Sequence, residues 1–532
     1  FYTENGKNFV KSDQRNGKII EIPNGHTMNA VPGHKVVVMP FKDNTYLGEV
    51  IAVIGHKNDI GVDILSYAYQ YGFDPKYSDE EMKEVNSLPS EVLVRDLSGR
   101  IDLRRELIFT IDGDDTKDID DAVSLKKLDN GLYELGVYIA DVSYYVKQDG
   151  EIDKDAFKRG TSVYLVDRVI PMLPHQLSNG ICSLNPNTNR LALSCVMKIN
   201  NKGEVVDYRI FESVICSKKQ MTYNNVNKIL EENTIPEGYE EFADNLKLMK
   251  ELSDILRSKM VRRGYLEFDN PEAKILVNEK CEPTDIVLRS QRIGEKLIEN
   301  FMIVANETVA GFVEDMDLPG IYRVHDKPNP EKLKTFIRFL SLKGYSFNMD
   351  VNKIKNYSYQ KMLEMFKDKE EGSILSSLAI QTMAKAKYSN VNIGHFGLGS
   401  KRYSHFTSPI RRYPDLTLHR LVKDYLKKYS TKTISKWEKL LPVIADHSSI
   451  KEQDSINCER DVEKMKKAQY MEGHIGEVFK GVVSGVCEFG IFVQLENTVE
   501  GLVKVEDIKG DYYVYDKELG IMVGKNSKNR YM

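Results

Sequence analysis

Six of the ten residues from Asp112 to Asp121 are aspartate, within Thr110-Ile111-Asp112-Gly113-Asp114-Asp115-Thr116-Lys117-Asp118-Ile119-Asp120-Asp121-Ala122. This run constrains the chain more than any other feature. It lies between the apolar stretches Leu107–Ile111 and Ala122–Leu125, which read as strands that carry it into the protein rather than as a solvated surface loop. Carboxylates packed so densely repel one another unless cations neutralise them. Hard divalent ions, chiefly Mg²⁺, take oxygen ligands and leave room for water and phosphate. Two such ions can stabilise both the attacking and the leaving oxygen of phosphodiester hydrolysis. A calcium loop of the EF-hand type does not fit. Counted from Asp112, the sixth position is Lys117 where glycine is needed, and from Asp118 the fifth is Ala122 where Asp or Asn is needed.

A second stretch complements the first: His405-Phe406-Thr407-Ser408-Pro409-Ile410-Arg411-Arg412-Tyr413-Pro414-Asp415-Leu416-Thr417-Leu418-His419-Arg420. Its prolines keep the chain irregular before a helix that starts near Asp415. Ser408 and Thr407 can bond phosphate oxygens, and Arg411 or Arg412 can clamp one bidentately. Surface arginines at the start of a helix are the plainer reading, but phosphoryl hydrolysis needs a cation facing the developing charge as well as metal. Serine and cysteine nucleophiles find no support: there is no G-x-S-x-G elbow and no cysteine beside a histidine. Glycine-rich phosphate loops are also absent. The six cysteines form no C-x-x-C pair, which argues against structural zinc and disulfides and predicts a reducing, cytoplasmic setting.

Length and patterning set the frame. A chain of 532 residues exceeds one hydrophobic core, so two to four domains are expected. Lys35–Pro40 and Gly48–Ile54 are β-branched runs with a turn at Pro32-Gly33, the mark of a small β-barrel. A charged helical connector follows around Ser78–Asn86. Between 101 and 465 strands (Tyr133–Ile139 among them) mix with helices at Gln291–Phe312, Thr417–Tyr425 and Trp437–His447. Gln291–Phe312 carries Ile293, Leu297, Phe301, Val304, Ala305 and Val309 on one stripe. From Gly476 short strands return: Val478-Phe479, Gly481–Val483, Gly490–Leu495 and Glu500–Val503. Here Phe489 and Phe492 could stack bases as OB-type barrels do, although alternation predicts that at least one ring is core. No apolar stretch spans a bilayer, so a soluble protein without membrane partners is expected. Charge is a caution, because 75 Lys+Arg against 79 Asp+Glu leave a net charge of −4, not the usual footprint of a nucleic-acid binder. The opening Phe1-Tyr2-Thr3-Glu4 lacks Met, which predicts that the native start lies upstream.

Together these segments resemble the RNB family of exoribonucleases, ribonuclease II and ribonuclease R, and bacterial ribonuclease R more closely. Thr110–Ala122 matches the family's aspartate motif at all four acidic positions. Ile170-Pro171-Met172-Leu173-Pro174, Leu177-Ser178 and Cys182-Ser183-Leu184 match the next block, His405 to Arg420 a third, and Cys458-Glu459-Arg460-Asp461-Val462 the last. The resemblance implies a multidomain chain. An α+β RNB catalytic domain at 101–470 is flanked by all-β OB-type barrels, a partial cold-shock domain at 1–57 and an incomplete S-one-type domain at 471–532, with 58–100 as linker. It implies that Asp112, Asp118, Asp120 and Asp121 hold two Mg²⁺ ions, with Mn²⁺ as a substitute, and that Arg411 faces the charge building on phosphorus. Tyr164 would fix the 3′-terminal nucleotide, Phe268 (in Gly264-Tyr265-Leu266-Glu267-Phe268) would stack on terminal bases, and Tyr223 with Glu299 would contact ribose hydroxyls. Glu459 would lie near the terminal nucleotide. The implied activity is processive 3′→5′ hydrolysis of single-stranded RNA, and of structured RNA with a 3′ overhang, to nucleoside 5′-monophosphates. The alternatives are a catalytically silent RNA-binding relative and a nuclease for very short oligonucleotides. A monomer is expected, with RNA 3′ ends as partner and recruitment to RNA-decay machinery or ribosomes open.

Overall fold

β-Branched alternation at both ends and apolar periodicity between them build three regions in the computed structural model, which describes residues 1–13, 17–267, 272–347, 350–367, 369, 371–427, 429–517 and 520–531. At the N-terminal end Tyr2–Glu4, Lys7–Lys11 and Ile19–Ile22 form one antiparallel sheet. His34–Pro40 and Gly48–His56 form another, and a parallel bridge from Glu21 to Leu47 joins the two. Gly33 turns the chain into the second sheet with φ of 94°, a conformation that favours glycine. The helix Asp79–Asn86 is capped by Ser78, whose Oγ accepts the Glu81 N–H at 3.1 Å.

A five-stranded sheet forms the centre. Its order is Ile101–Asp102, Val205–Cys216, Asn189–Ile199, Tyr133–Ala140, Asp121–Lys127, antiparallel except at the first pair. The short strand Thr110–Asp112 pairs in parallel with Gln220–Thr222, and Phe109 bridges to Val123. Asp112 therefore ends one strand as Asp121 begins its neighbour.

The helix Ile293–Asp315 lies against this sheet. The sequence predicts one apolar stripe, but Asn300, Asn306, Ala310 and Gly311 are buried as well, because the helix is covered by other elements over most of its girth. Ile293, counted in the stripe, is only half-buried. A module of three helices, Pro330–Leu342, Asn356–Glu364 and Gly372–Thr382, has its own small core around Leu333, Phe336, Tyr359 and Phe366. Nothing in the sequence pattern singles this module out.

The helix over Thr431–Glu472 runs 42 residues, about 60 Å at 1.5 Å per residue, far beyond the predicted Trp437–His447. Its second half is polar and gains its order from contacts. Lys466 Nζ donates to Asp63 Oδ2 at 2.7 Å and Asp461 accepts from the Tyr71 hydroxyl at 2.6 Å. Cys458 and Val462 pack on Ile64, Ala68 and Phe73. At the C-terminal end Gly481–Cys487, Gly490–Leu495 and Glu500–Lys504 form one sheet and Tyr513–Asp516, Ile521–Gly524 and Arg530–Tyr531 another, over Ile491, Tyr513 and Met522. Val478 and Phe479, expected as strand, stand outside any strand, with Val478 97% exposed. The hairpin Glu272–Val277/Pro283–Arg289 packs Ile275 and Ile286 on Val499 and so ties this end to the centre.

Candidate active site

Strand geometry divides the six aspartates. Asp114 and Asp115 are exposed in the turn after Asp112, where Asp114 accepts from the Asn224 amide at 2.5 Å. Asp112, Asp118, Asp120 and Asp121 turn further from solvent, with Asp120 buried, and the charges of Asp118 and Asp121 bear on Asp112 and Asp120. Burial raises the Asp112 carboxyl to about 8, and the Asp121 and Asp118 charges add to the shift. Burial also raises Asp121, to about 6, against the pull of Arg411 and Arg412. Asp120 is pushed well above the usual carboxylate range by burial, although Arg411 and the Ile410 N–H oppose it. Its Oδ1 accepts from Ile410 N–H at 2.8 Å, and its Oδ2 lies 3.6 Å from Arg411 Nε. Among the described residues, the buried Oδ2 atoms of Asp112 and Asp120 meet no hydrogen-bond donor. Such orphaned acceptors are unfavourable unless a cation or a proton serves them, so the donor set fits hard divalent ions. Among the described residues no three or more His, Cys, Asp or Glu side chains stand together so as to hold a metal ion by themselves. A site that relies on water and phosphate for the rest of its ligands does not need such a set.

Tyr164, Glu459 and Tyr223 come to this cluster from distant parts of the chain, whereas Glu299 is bonded away from it to Tyr265. Tyr164 is 41% exposed; its hydroxyl donates to Asp118 Oδ2 at 3.0 Å and its backbone N–H to Glu459 Oε1 at 3.2 Å. Ser455 Oγ also donates to that Glu459 oxygen, at 2.8 Å, and burial raises the Glu459 carboxyl. Tyr223 opens the helix Tyr223–Glu232 directly after Thr222, the residue paired with Asp112. Its phenol is raised by burial and then by the Asp121 and Asp112 charges. Glu299 Oε1 accepts from the Tyr265 hydroxyl at 3.0 Å, and Arg257 lies over the Tyr265 ring at 4.3 Å.

The arginine loop differs from expectation in three side chains, Thr407, Ser408 and Arg412. Arg411 remains half exposed, with its Nη2 donating to Ser408 Oγ at 2.9 Å. Ser408, expected to bond phosphate, is buried, and its N–H donates to Asp415 Oδ1 at 2.8 Å. Thr407 is buried beside it. Arg412, expected to meet RNA, donates to the same Asp415 oxygen at 2.7 Å. Asp415 is fully buried, and a charge there needs a partner, so it draws Arg412 inward. The helix starts at Tyr413, with Pro414 in its first turn. The loop is braced from behind, as Asn306 Oδ1 accepts from Phe406 N–H and His419 Nε2 donates to Phe406 C=O, both at 2.8 Å. Sequence reasoning missed Asp415, Asn306, Tyr265 and Arg257. Asp415 and Tyr265 stood within quoted motifs, but as neighbours of the residues singled out there.

Phe268 lies outside the described residues. In the C-terminal barrel Phe489 is 59% exposed and Phe492 half-buried, so neither ring is core; Ile491 fills that place. Phe492 lines a cleft of about 2370 Å³ together with Arg323, Lys327, Lys385 and Arg460, between the barrel, the three-helix module and the long helix. None of the four inward aspartates lines it.

Family models match the chain at residues 100–428 (RNB domain), 9–78 (Cold shock domain) and 473–529 (S1 RNA binding domain). The chain belongs to the RNB family of exoribonucleases, in its ribonuclease R branch. It is 44% identical to Ribonuclease R 1 of Lactococcus lactis over 533 residues, 98% of this chain and 64% of that protein's length. With Ribonuclease R of Thermotoga maritima it shares 44% identity over 507 residues, 93% of this chain and 71% of that protein. The fold is similar to that of Mycoplasma genitalium RNase R in complex with ribose methylated single-stranded RNA. The TM-score is 0.90 at 30% identity, covering 99% of this chain and 85% of that one. The α+β RNB domain is thus flanked by OB-type domains, and RNB-family exoribonucleases are metal-dependent.

Proposed function

We propose that the chain hydrolyses RNA processively from a single-stranded 3′ end, releasing nucleoside 5′-monophosphates, and also acts on structured RNA that offers a 3′ overhang. One observation carries this reading: inward aspartates with orphaned buried oxygens stand beside Arg411 and Tyr164. Asp112, Asp118, Asp120 and Asp121 would hold two Mg²⁺ ions, with Mn²⁺ as a substitute. Such ions, when bound, supply charge neutralisation and Lewis-acid polarisation of the scissile phosphate. Arg411, steadied by Ser408, directs its guanidinium at the charge that builds on phosphorus. Tyr164, held between Asp118 and Glu459, positions the 3′-terminal nucleotide, with Glu459 beside it. Phe268 is assigned to base stacking by resemblance alone. Phe489 and Phe492 offer rings on which single-stranded bases stack, and the basic residues of the large cleft suit a phosphate backbone. A reducing, cytoplasmic setting suits the free cysteines. Among the described residues no helix is long and apolar enough to cross a membrane.

A time course on 5′-labelled single-stranded RNA, with Mg²⁺ and with EDTA, tests the activity. Metal-dependent loss of full-length RNA to a very short end product, with few intermediates, is expected. Intact RNA with a gel shift would favour the silent RNA-binding relative, and cleavage of a dinucleotide but not a homopolymer would favour the short-oligonucleotide enzyme.

Ribose reading gives a second test. The 2′-hydroxyl is the chemical difference between RNA and DNA at a given site. Glu299→Ala and Tyr223→Ala are each expected to erode RNA-over-DNA discrimination by about tenfold, one hydrogen bond's worth. Competition between labelled RNA and DNA strands measures this, and unchanged discrimination in both variants removes the assignment.

Metal demand follows pH. Protons compete with cations for carboxylates, and Asp121 and Asp112 titrate at about 6 and about 8. The Mg²⁺ needed for half-maximal activity should therefore fall as pH rises from 6 to 8. The sign for stability is opposite. A carboxyl whose pKa is higher folded than unfolded binds more protons in the folded state, so the metal-free protein loses stability as pH rises through this window. Mg²⁺ should raise the thermal midpoint more at pH 8 than at pH 6. Equal shifts at both pH values would count against the inward aspartates as ligands.

A further inference from the structure

Cys182-Ser183-Leu184 takes no part in the chemistry above, yet it grips the segment between two of the inward aspartates. Ser183 is fully buried. Its Oγ accepts from Ile119 N–H at 3.0 Å and donates to Lys117 C=O at 2.7 Å. One residue on, Leu184 N–H donates to Ile119 C=O at 3.0 Å. Both peptide groups of Ile119 are thus held, and its side chain is fully buried. Adjacent side chains of an extended segment point to opposite faces. Pinning Ile119 into the core therefore turns Asp118 and Asp120 the other way, toward Tyr164 and Arg411.

The grip is itself rigid. Arg190 donates from Nε to Ser183 C=O at 2.8 Å and from Nη2 to Gly180 C=O at 3.2 Å. A serine hydroxyl has one proton to give, and Lys117 C=O is closer than Asn185 Oδ1 at 3.2 Å. Among the described residues no other side chain bonds the Lys117 carbonyl or the Ile119 N–H.

We propose that Ser183 is a positioning residue for metal: its hydroxyl sets the direction of the Asp118 and Asp120 carboxylates without touching RNA or ion. This rests on the metal-site reading given under the proposed function. Mg²⁺ is titrated into RNA-free protein and the rise in thermal midpoint is followed, alongside the Mg²⁺ dependence of hydrolysis. Ser183→Ala is expected to need roughly tenfold more Mg²⁺ in both measurements, as loss of a ligand's supporting hydrogen bond does elsewhere, with kcat recovering at saturating Mg²⁺. Ser183→Cys, which fills the same space with a weak donor, should be displaced in the same direction and keeps the test available should the alanine variant fold poorly.

Ser194→Ala is the matched control, since Ser194 is also fully buried and bonded to Ser213 Oγ at 2.7 Å in the central sheet. It should lower the metal-free midpoint while leaving the Mg²⁺ requirement unchanged. The proposal is overturned if Ser183→Ala and Ser183→Cys titrate like wild type, or if Ser194→Ala moves as far. A wild-type protein that shows neither Mg²⁺-induced stabilisation nor hydrolysis overturns the metal-site reading first and the role of Ser183 with it.

Discussion

Asp120→Asn should slow hydrolysis by on the order of 10³-fold or more, the scale of losing an electrostatic group at the reacting centre, while RNA binding stays near wild type. The substitution is nearly isosteric. Its amide oxygen can still accept from Ile410 N–H, the 2.8 Å bond that aligns the arginine loop with the aspartates. What disappears is the charge beside Arg411. Folding should not suffer, because a neutral amide is easier to bury than a carboxylate whose second oxygen lacks a donor. Single-turnover cleavage, filter binding and thermal unfolding in EDTA separate these effects. Hydrolysis near the wild-type rate would remove Asp120 from the site.

Replacing the adjacent arginines should produce two different failures. Arg411→Ala is expected to lower kcat by about 10²-fold with little change in unfolding, since its half-exposed side chain hydrogen-bonds Ser408 and pairs with Asp120 only at 3.6 Å. Arg412→Ala is expected to destabilise the fold by about 3–5 kcal/mol, because it strands the Asp415 carboxylate without its ion-pair partner. Asp415 would keep only the Ser408 N–H. Denaturant unfolding reads the second effect and steady-state kinetics the first. If both variants unfold like wild type and lose activity equally, the distinction between a substrate-facing arginine and one paired inward with Asp415 is wrong.

Local patterns made much of the fold legible. The strands Tyr133–Ala140 and Gly490–Leu495 and the capped helix Asp79–Asn86 follow alternation and capping that neighbouring residues encode. The exceptions share a cause. The helix Thr431–Glu472 outruns its apolar periodicity because packing on the helix Val62–Gln70 and on the hairpin Pro283–Arg289 stabilises its polar second half. The three-helix module closes its small core with Leu266, Ile354 and Phe396 from outside its helices, a satellite that no single helix announces.

The site divides along the same line. By itself the sequence determined the chemistry: an aspartate run between two strands demands cations, and the ordered blocks around it mark the RNB family. It also placed Asp112 just past one apolar run and Asp121 just before the next, although the structure includes both in the strands themselves. Only the tertiary structure decided which aspartates turn inward and which of two adjacent arginines remains at the surface. It alone joined Tyr164 to Glu459 across 295 positions of sequence and Asp120 to Ile410 across 290. The physical reason is that a side chain's direction depends on which buried groups must be satisfied, and those groups, Asp415 for Arg412 and Ser183 for Ile119, arrive from distant segments only once the chain has packed.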